Sequence, residues 1–438
     1  MRPSFLRRCA TRSALLVLCG LSACHGLLDV SDPTLIRDQD IANAAGADSR
    51  RLDAVGAFMV YILVGIPRVA QITDERSYDI DPRVNPLPTD FWTLDRRDSE
   101  GFEALHVYDD PYLGNLDWIV TRTSIAIPQV RLYSPDSLKG DFLAQLFAYR
   151  GYVLLQMAED VCQGFPINDI SDSNIPVYSR PYTTDSAVVY AISQLDSAIA
   201  DAKDSTQYLN FARVVKGRAL LDIGRYAEAE QSIATVPNDF VYTTDVNHGN
   251  IVYNPYDSWS YQGFPVGDRK GGNGLRFVSE HDVRVPITYK RQRIVDTTVA
   301  EYDQAKYTSY TTTTVLASAT EAQLMRAEVA LANHDASWLT ILNTLRQSVG
   351  LADLADPLAP EAQVDTLYHE RAFWLYLTGR RLGDLRRLMR NYHRDPETVF
   401  PTGRYPLGGE YGTATAIPFS LQNEAQYNRN ITTGCTTR

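Results

Sequence analysis

His369-Glu-Arg-Ala-Phe-Trp-Leu-Tyr-Leu-Thr-Gly-Arg-Arg-Leu-Gly-Asp-Leu-Arg-Arg387 decides the fold of this 438-residue chain. It is the densest part of a block running from Ala319 to Asn391. Apolar positions recur at helical steps along Leu367-Arg371-Trp374-Leu375 and again along Leu382-Leu385-Leu388-Met389, which predicts two short helices. Gly379 and Gly383 put a bend between them. Both faces call for burial, and the alanine-rich segment Glu321–Leu331 is the natural cover. Arg380, Arg381, Arg386, Arg387 and Arg390 could be taken for a phosphate-binding patch, but Glu370 and Asp384 stand close by to pair with some of them. The block therefore reads as an internal tie between helices and loops, away from any ligand.

Charge agrees with that reading. The net charge is −11, and the first 23 residues hold four arginines and no acid, so the remainder stands at −15. A body this acidic repels nucleic acid and gains nothing from an anionic membrane surface. Apolar residues make up 44% and charged residues 22%, the balance of a globular protein with a large core. Tyrosine is in excess, 26 against 14 phenylalanines. A tyrosine buries its ring and keeps its hydroxyl wet, which suits a polar binding face and equally a loop-rich chain.

The N-terminus reads as an address. Arg2, Arg7, Arg8 and Arg12 precede the apolar run Ala14–Leu21. At about eight residues that run is a secretory core, too short to span a bilayer. Leu21-Ser-Ala-Cys24 follows with the form of a bacterial lipobox, so residues 1–23 are expected to be removed and Cys24 to carry acyl chains, palmitate among them. The alternative is an ordinary signal peptide in which Cys24 is incidental. The mature chain, residues 24–438, is expected to hang from the outer membrane by this anchor. Cys162 and Cys435 are then the remaining thiols. In an oxidising exterior they predict one disulfide, two free thiols being the alternative.

Downstream, Ile41 to Val69 carries Leu52, Val55, Met59 and Leu63 at helical spacing, with an end expected at Gly65-Ile-Pro67. Residues 71–100 are rich in acids and prolines and read as loop, with Asp79 and Asp81 in a solvated turn. Helical patterning resumes over 112–160, where Pro135-Asp-Ser137 offers a cap to the run Leu138–Ala158. Thr184-Asp-Ser186 opens a helix to Ala202, and another is expected from Phe211 to Leu221. Ala219, Gly224, Tyr226, Ala229 and Pro237 then have the spacing of a tetratricopeptide repeat, and a similar unit opens at Glu321. About a hundred residues separate the two units, so the repeat scaffold is interrupted by an insertion near 240–316. The insertion is dense in rings, including Trp259 and Tyr261. Its Gly267-Asp-Arg-Lys-Gly-Gly-Asn-Gly274 lacks Gly-Lys-Ser/Thr and reads as turns, not a phosphate cradle.

Several motifs, in order, resemble the SusD/RagB family of nutrient-binding lipoproteins. They are Glu321…Leu324-Met-Arg-Ala-Glu328, Leu342-Asn343…Arg346…Gly350-Leu351, Glu370-Arg371…Leu377-Thr-Gly-Arg380-Arg…Asp384-Leu-Arg-Arg387, Phe400-Pro-Thr-Gly403 and Ala416-Ile-Pro418…Glu424…Asn428-Arg-Asn430. Thr378, Arg429 and the Cys162/Cys435 pair depart from the pattern. The resemblance implies an all-α dominated, tetratricopeptide-like scaffold over about 41–236 and 317–393, with partly β, loop-rich insertions and a C-terminal loop segment 394–438. It also implies a single domain, a SusC-like TonB-dependent outer-membrane transporter as partner, an oligosaccharide or other nutrient as ligand, and no cofactor. Arg76, Tyr78, Trp92, Trp259 and Tyr261 are the candidate ligand contacts, chosen because they put guanidinium or ring chemistry in expected loops.

Two other readings compete. A repeat-based adaptor would bind protein alone. A glycoside hydrolase would need two facing carboxylates about 5–10 Å apart, and no local motif nominates such a pair. His-Glu-x-x-His and Gly-x-Ser-x-Gly do not occur, and the seven histidines lack ligand spacing, so neither a catalytic nor a metal site is expected.

Overall fold

The computed structural model describes residues 41–435 except 80–89, 106–111, 170, 172–174, 204, 245–264, 295, 309–311 and 358. Helix α1 (Ala44–Ile72) is followed by two short helices, α2 (Asp90–Asp95) and α3 (Ser99–Leu105). Then come α4 (Leu113–Tyr133), α5 (Asp136–Asp160), α6 (Thr184–Asp201), α7 (Thr206–Asp222) and α8 (Tyr226–Ile233). Each of α5 to α8 packs on its predecessor, and α1 packs on α4, so the helices stack as a layered scaffold. Val188, Ala191, Ile192 and Leu195 of α6 show the i, i+3, i+4, i+7 burial that such stacking requires. Gly151 of α5 is where two layers approach closest, since a Cβ there would sit 2.6 Å from Leu195.

The second repeat continues the stack after the insertion. Helix α9 (Ala319–Ala332) packs on α8 and α7, and on α10 (Ser337–Ser348) and α11 (Pro360–Trp374). The chain ends with α12 (Arg381–Tyr392), α13 (Pro396–Val399) and α14 (Leu421–Tyr427). The insertion leaves through β1 (Val241–Thr243) and returns through β4 (Val315–Ser318), which pair antiparallel, Val241 opposite Ser318. Between them β2 (Ile287–Gln292) and β3 (Ala300–Gln304) form a separate antiparallel pair. The neck lets the helical stack run on from α8 to α9 without a break. Among the described residues no helix is long and apolar enough to cross a membrane.

Three expectations are corrected. Helix α1 does not stop at Gly65-Ile-Pro67 but carries Pro67 inside it and ends at Ile72. Proline costs an interior helix about 3 kcal/mol, and here full burial of Ile66, Val69, Ala70 and Ile72 in the turns around it offsets the loss. Residues 90–95 are helical where loop was expected, and a second helix, 99–105, begins within the same stretch; Asp98 starts it by accepting from the Gly101 amide at 3.0 Å. Asp79 is fully buried and accepts from the Ile294 amide at 2.8 Å, so it is no solvated turn; Asp81 lies outside the described residues.

Candidate functional site

The arginine block is internal. Arg371 donates through Nε and Nη2 to both oxygens of Asp384, at 3.0 and 2.8 Å. Arg380 bridges Glu321 (3.2 Å) and the Tyr152 hydroxyl (3.1 Å). Arg381 forks onto Asp74 with two 2.8 Å bonds. Arg387 reaches Glu328, Asp222 and Asp384. Burial alone would raise the Asp384 carboxyl, yet Arg371 and Arg387 hold it below the ordinary range. Glu370 departs from the expected pairing. It accepts from Arg284 of the insertion and Arg346 of α10, and although burial opposes ionisation, the neighbouring His369 together with these two guanidiniums keeps it down at about 2.

The cover for α12 also differs from expectation. It packs on α5 and α1, and reaches the alanine-rich α9 through Arg387 and through Arg380, the residue just before it.

The segment after α1 is clamped on every side, and this places two of the candidate contacts. Gly267 N–H donates to the Glu75 carbonyl at 2.9 Å, Ser77 N–H to Pro265, and Leu377 N–H to the Glu75 carboxylate at 2.8 Å. Lys270, from the glycine-rich turn, donates to the carbonyls of Gln71 and Thr73 and pairs with Asp95 at 2.9 Å. Arg76 and Tyr78 sit in this segment at 1% and 3% exposure, so they present no face to a ligand. Burial drops the Arg76 guanidinium to about 10. Trp92 lies half-buried on α2, not in a loop. Trp259, Tyr261 and Cys24 lie outside the described residues. Cys162 and Cys435 are joined, S–S 1.97 Å, tying the C-terminal segment to the loop after α5.

That disulfide forms part of the wall of a cleft of 220 Å³. Ser99 and Glu103 of α3 border it, with Thr184 at the start of α6, Arg386 and Arg390 of α12, and the extended segment Thr413–Ala416. Arg386 is 9% exposed and, unlike its neighbours in the block, forms no ion pair among the described residues. Its Nη1 donates to the carbonyls of Ala158, Glu159 and Val161 at the end of α5, while its Nη2 has a single long contact, 3.4 Å to the Thr184 hydroxyl. Burial and the neighbouring Arg390 pull its guanidinium down to about 10. The sequence held a sign of this: Leu382, Gly383, Met389 and Arg390, at helical spacing from Arg386, include no acid. A second concavity of 340 Å³ lies between α11, α12 and the 273–275 turn, but Arg381, Arg394 and Asn273 on its wall are committed to Asp74, Asp365 and the Phe400 carbonyl.

No family model matches the sequence, and no curated relative does. Solved structures do match along nearly the whole chain. A SusD superfamily protein from Bacteroides thetaiotaomicron superposes with a TM-score of 0.65 at 13% identity, covering 89% of this chain and 99% of its own. Surface glycan-binding protein A from Bacteroides uniformis gives 0.61 at 14%, covering 89% and 99%. A laminarin-binding SusD-like protein gives 0.58 at 13%, covering 90% and 100%. The chain therefore has the SusD-like fold, a helix-dominated scaffold with small paired strands.

Proposed function

We propose that this protein is a cell-surface lipoprotein, anchored at Cys24 to the outer membrane, that captures a glycan and passes it to a SusC-like TonB-dependent transporter. The observation that carries the reading is the end-to-end match of fold, covering 98–100% of several neighbours described as SusD superfamily or glycan-binding proteins. The lipobox at Leu21–Cys24 supports the anchor. Binding energy and position are all that the role demands, and no catalytic step is assigned. Trp92, Trp259 and Tyr261 are the ring-bearing contacts proposed for the sugar face, since aromatic rings stack on sugar C–H surfaces.

Titration calorimetry of the mature chain against a panel of oligosaccharides tests capture. Saturable binding with unchanged sugar is the expected result, and product release would overturn the reading in favour of a hydrolase. Detergent extraction from the native membrane tests the partner. A large β-barrel protein is expected to co-purify, and its absence would remove the transporter from the proposal.

A further inference from the structure

We infer that the cleft between α12, α3 and the Thr413–Ala416 segment is a subsite for a carboxylate-bearing sugar, a uronic acid, with Arg386 and Arg390 as its cationic wall. The inference rests on the glycan-capture reading and deepens it by naming a ligand class.

The buried arginines of α12 differ in what meets them. Arg381 and Arg387 are buried and each is met by carboxylates, as a guanidinium removed from water requires. Arg386 is buried to a similar degree with no carboxylate within ion-pair distance among the described residues. The carbonyls at the end of α5 supply a partial negative charge, which accounts for its Nη1. They leave Nη2 with a contact beyond ordinary N–H···O length. Nη2 therefore keeps a donor for a charge-assisted bond to a carboxylate oxygen, backed by the fixed charge of the guanidinium. Four residues on, Arg390 adds a second cation on the same wall; its own partner, Asp185, has a side chain 70% exposed, so solvent screens that pair.

The rest of the lining suits a sugar. Hydroxyls from Ser99, Thr184, Thr413 and Thr415 border the space, and Met389 with the Cys162–Cys435 bridge gives an apolar patch for ring C–H groups. Glu103 faces the cations from α3, where burial and Glu100 raise its carboxyl. Its repulsion limits the site to one carboxylate, and it accepts a sugar hydroxyl. The volume, 220 Å³, is below the usual range of about 300–1,000 Å³ for drug-sized ligands and takes one sugar unit at a time.

The test compares trigalacturonic acid, its methyl ester and the neutral trisaccharide maltotriose by titration calorimetry on the full mature chain. The free acid is expected to bind at least about tenfold more tightly than the ester, a gap set by charge-assisted bonds that narrows as salt rises. Arg390→Gln should narrow that gap, and Glu103→Gln should widen it. Arg386→Lys keeps the charge, but one ammonium cannot both hold the three α5 carbonyls and donate into the cleft, so acid binding falls while the thermal midpoint checks that the chain is folded. Equal affinity for acid and ester, or a preference indifferent to both arginine variants, overturns the subsite. Binding of maltotriose but not of the acid also overturns it and leaves glycan capture standing. Failure of all three sugars, followed by failure across the wider oligosaccharide panel, counts against both.

Discussion

Arg387 Nε on α12 lies 2.8 Å from Glu328 Oε1 on α9, with both side chains at or below 1% exposure. Glu328 also accepts from the Tyr368 hydroxyl at 2.9 Å and lies 3.7 Å from Arg371, so one carboxylate joins three helices. Removing it strands buried guanidinium charge. Glu328→Ala is expected to lower unfolding free energy by roughly 3–5 kcal/mol, read from urea denaturation. Asp196→Asn, which breaks the half-exposed pair with Lys216, should stay within about 0.5 kcal/mol. Equal effects would place the strength of the block elsewhere.

The bridge between Cys162 and Cys435 spans 273 residues. In the chain-entropy account a loop that long stabilises by on the order of 5 kcal/mol at most. The double variant Cys162→Ser/Cys435→Ser should unfold at lower temperature than the oxidised parent and match the reduced parent. A midpoint insensitive to reductant would contradict the linkage.

Glu75 is fully buried, and desolvation lifts its carboxyl from 4.5 to about 7 against the Leu377 amide bond that favours ionisation. Between those two values the native state keeps a proton that the unfolded chain has released. Stability therefore falls as pH rises through the window and is level above it, with this one group contributing roughly 3 kcal/mol of the change. Glu75→Gln retains an acceptor for Leu377 and should flatten the profile between pH 4.5 and 7, as measured by denaturation at fixed pH steps. A profile of unchanged slope would refute the assignment.

The glycine-rich turn offers a local test. Gly271 and Gly272 both have positive φ, 67° and 79°, but a Cβ on Gly271 would meet the Thr402 backbone nitrogen at 2.4 Å, whereas Gly272 faces open space. Gly272→Ala should cost about 1–2 kcal/mol, the ordinary price of left-handed backbone. Gly271→Ala should cost clearly more, because two backbones must part. Thermal melts of both variants give the comparison.

What could be read from the sequence followed from what periodicity encodes. Amphipathic spacing located α5, α6, α7 and α9, and the small residues of the two repeat units anticipated their stacking. The bend is present at Gly379, with φ at +76°, but Gly383, expected to share it, lies inside α12. Spacing failed where tertiary contacts decide. Helix α2 has six residues, less than two turns, so no period could reveal it. Arg76, Tyr78 and Asp79 have the composition of a surface loop, yet the insertion and the turn before Arg380 close over them. The cleft went unread because its walls come from residues near 100, 162, 184, 386, 415 and 435, and no local pattern links such distances.

The antiparallel neck formed by β1 and β4 fixes two ends of chain a hydrogen bond apart while some seventy residues lie between them. Closure entropy grows only with the logarithm of loop length, but Gly267, Lys270 and Arg284 hold the insertion to the Glu75 carbonyl, Asp95 and Glu370, so only length added outside those ties is cheap for the helices. The neck and those ties together make the insertion a brace: a change beyond the neck is felt by α1, α2 and α11 through Gly267, Lys270 and Arg284.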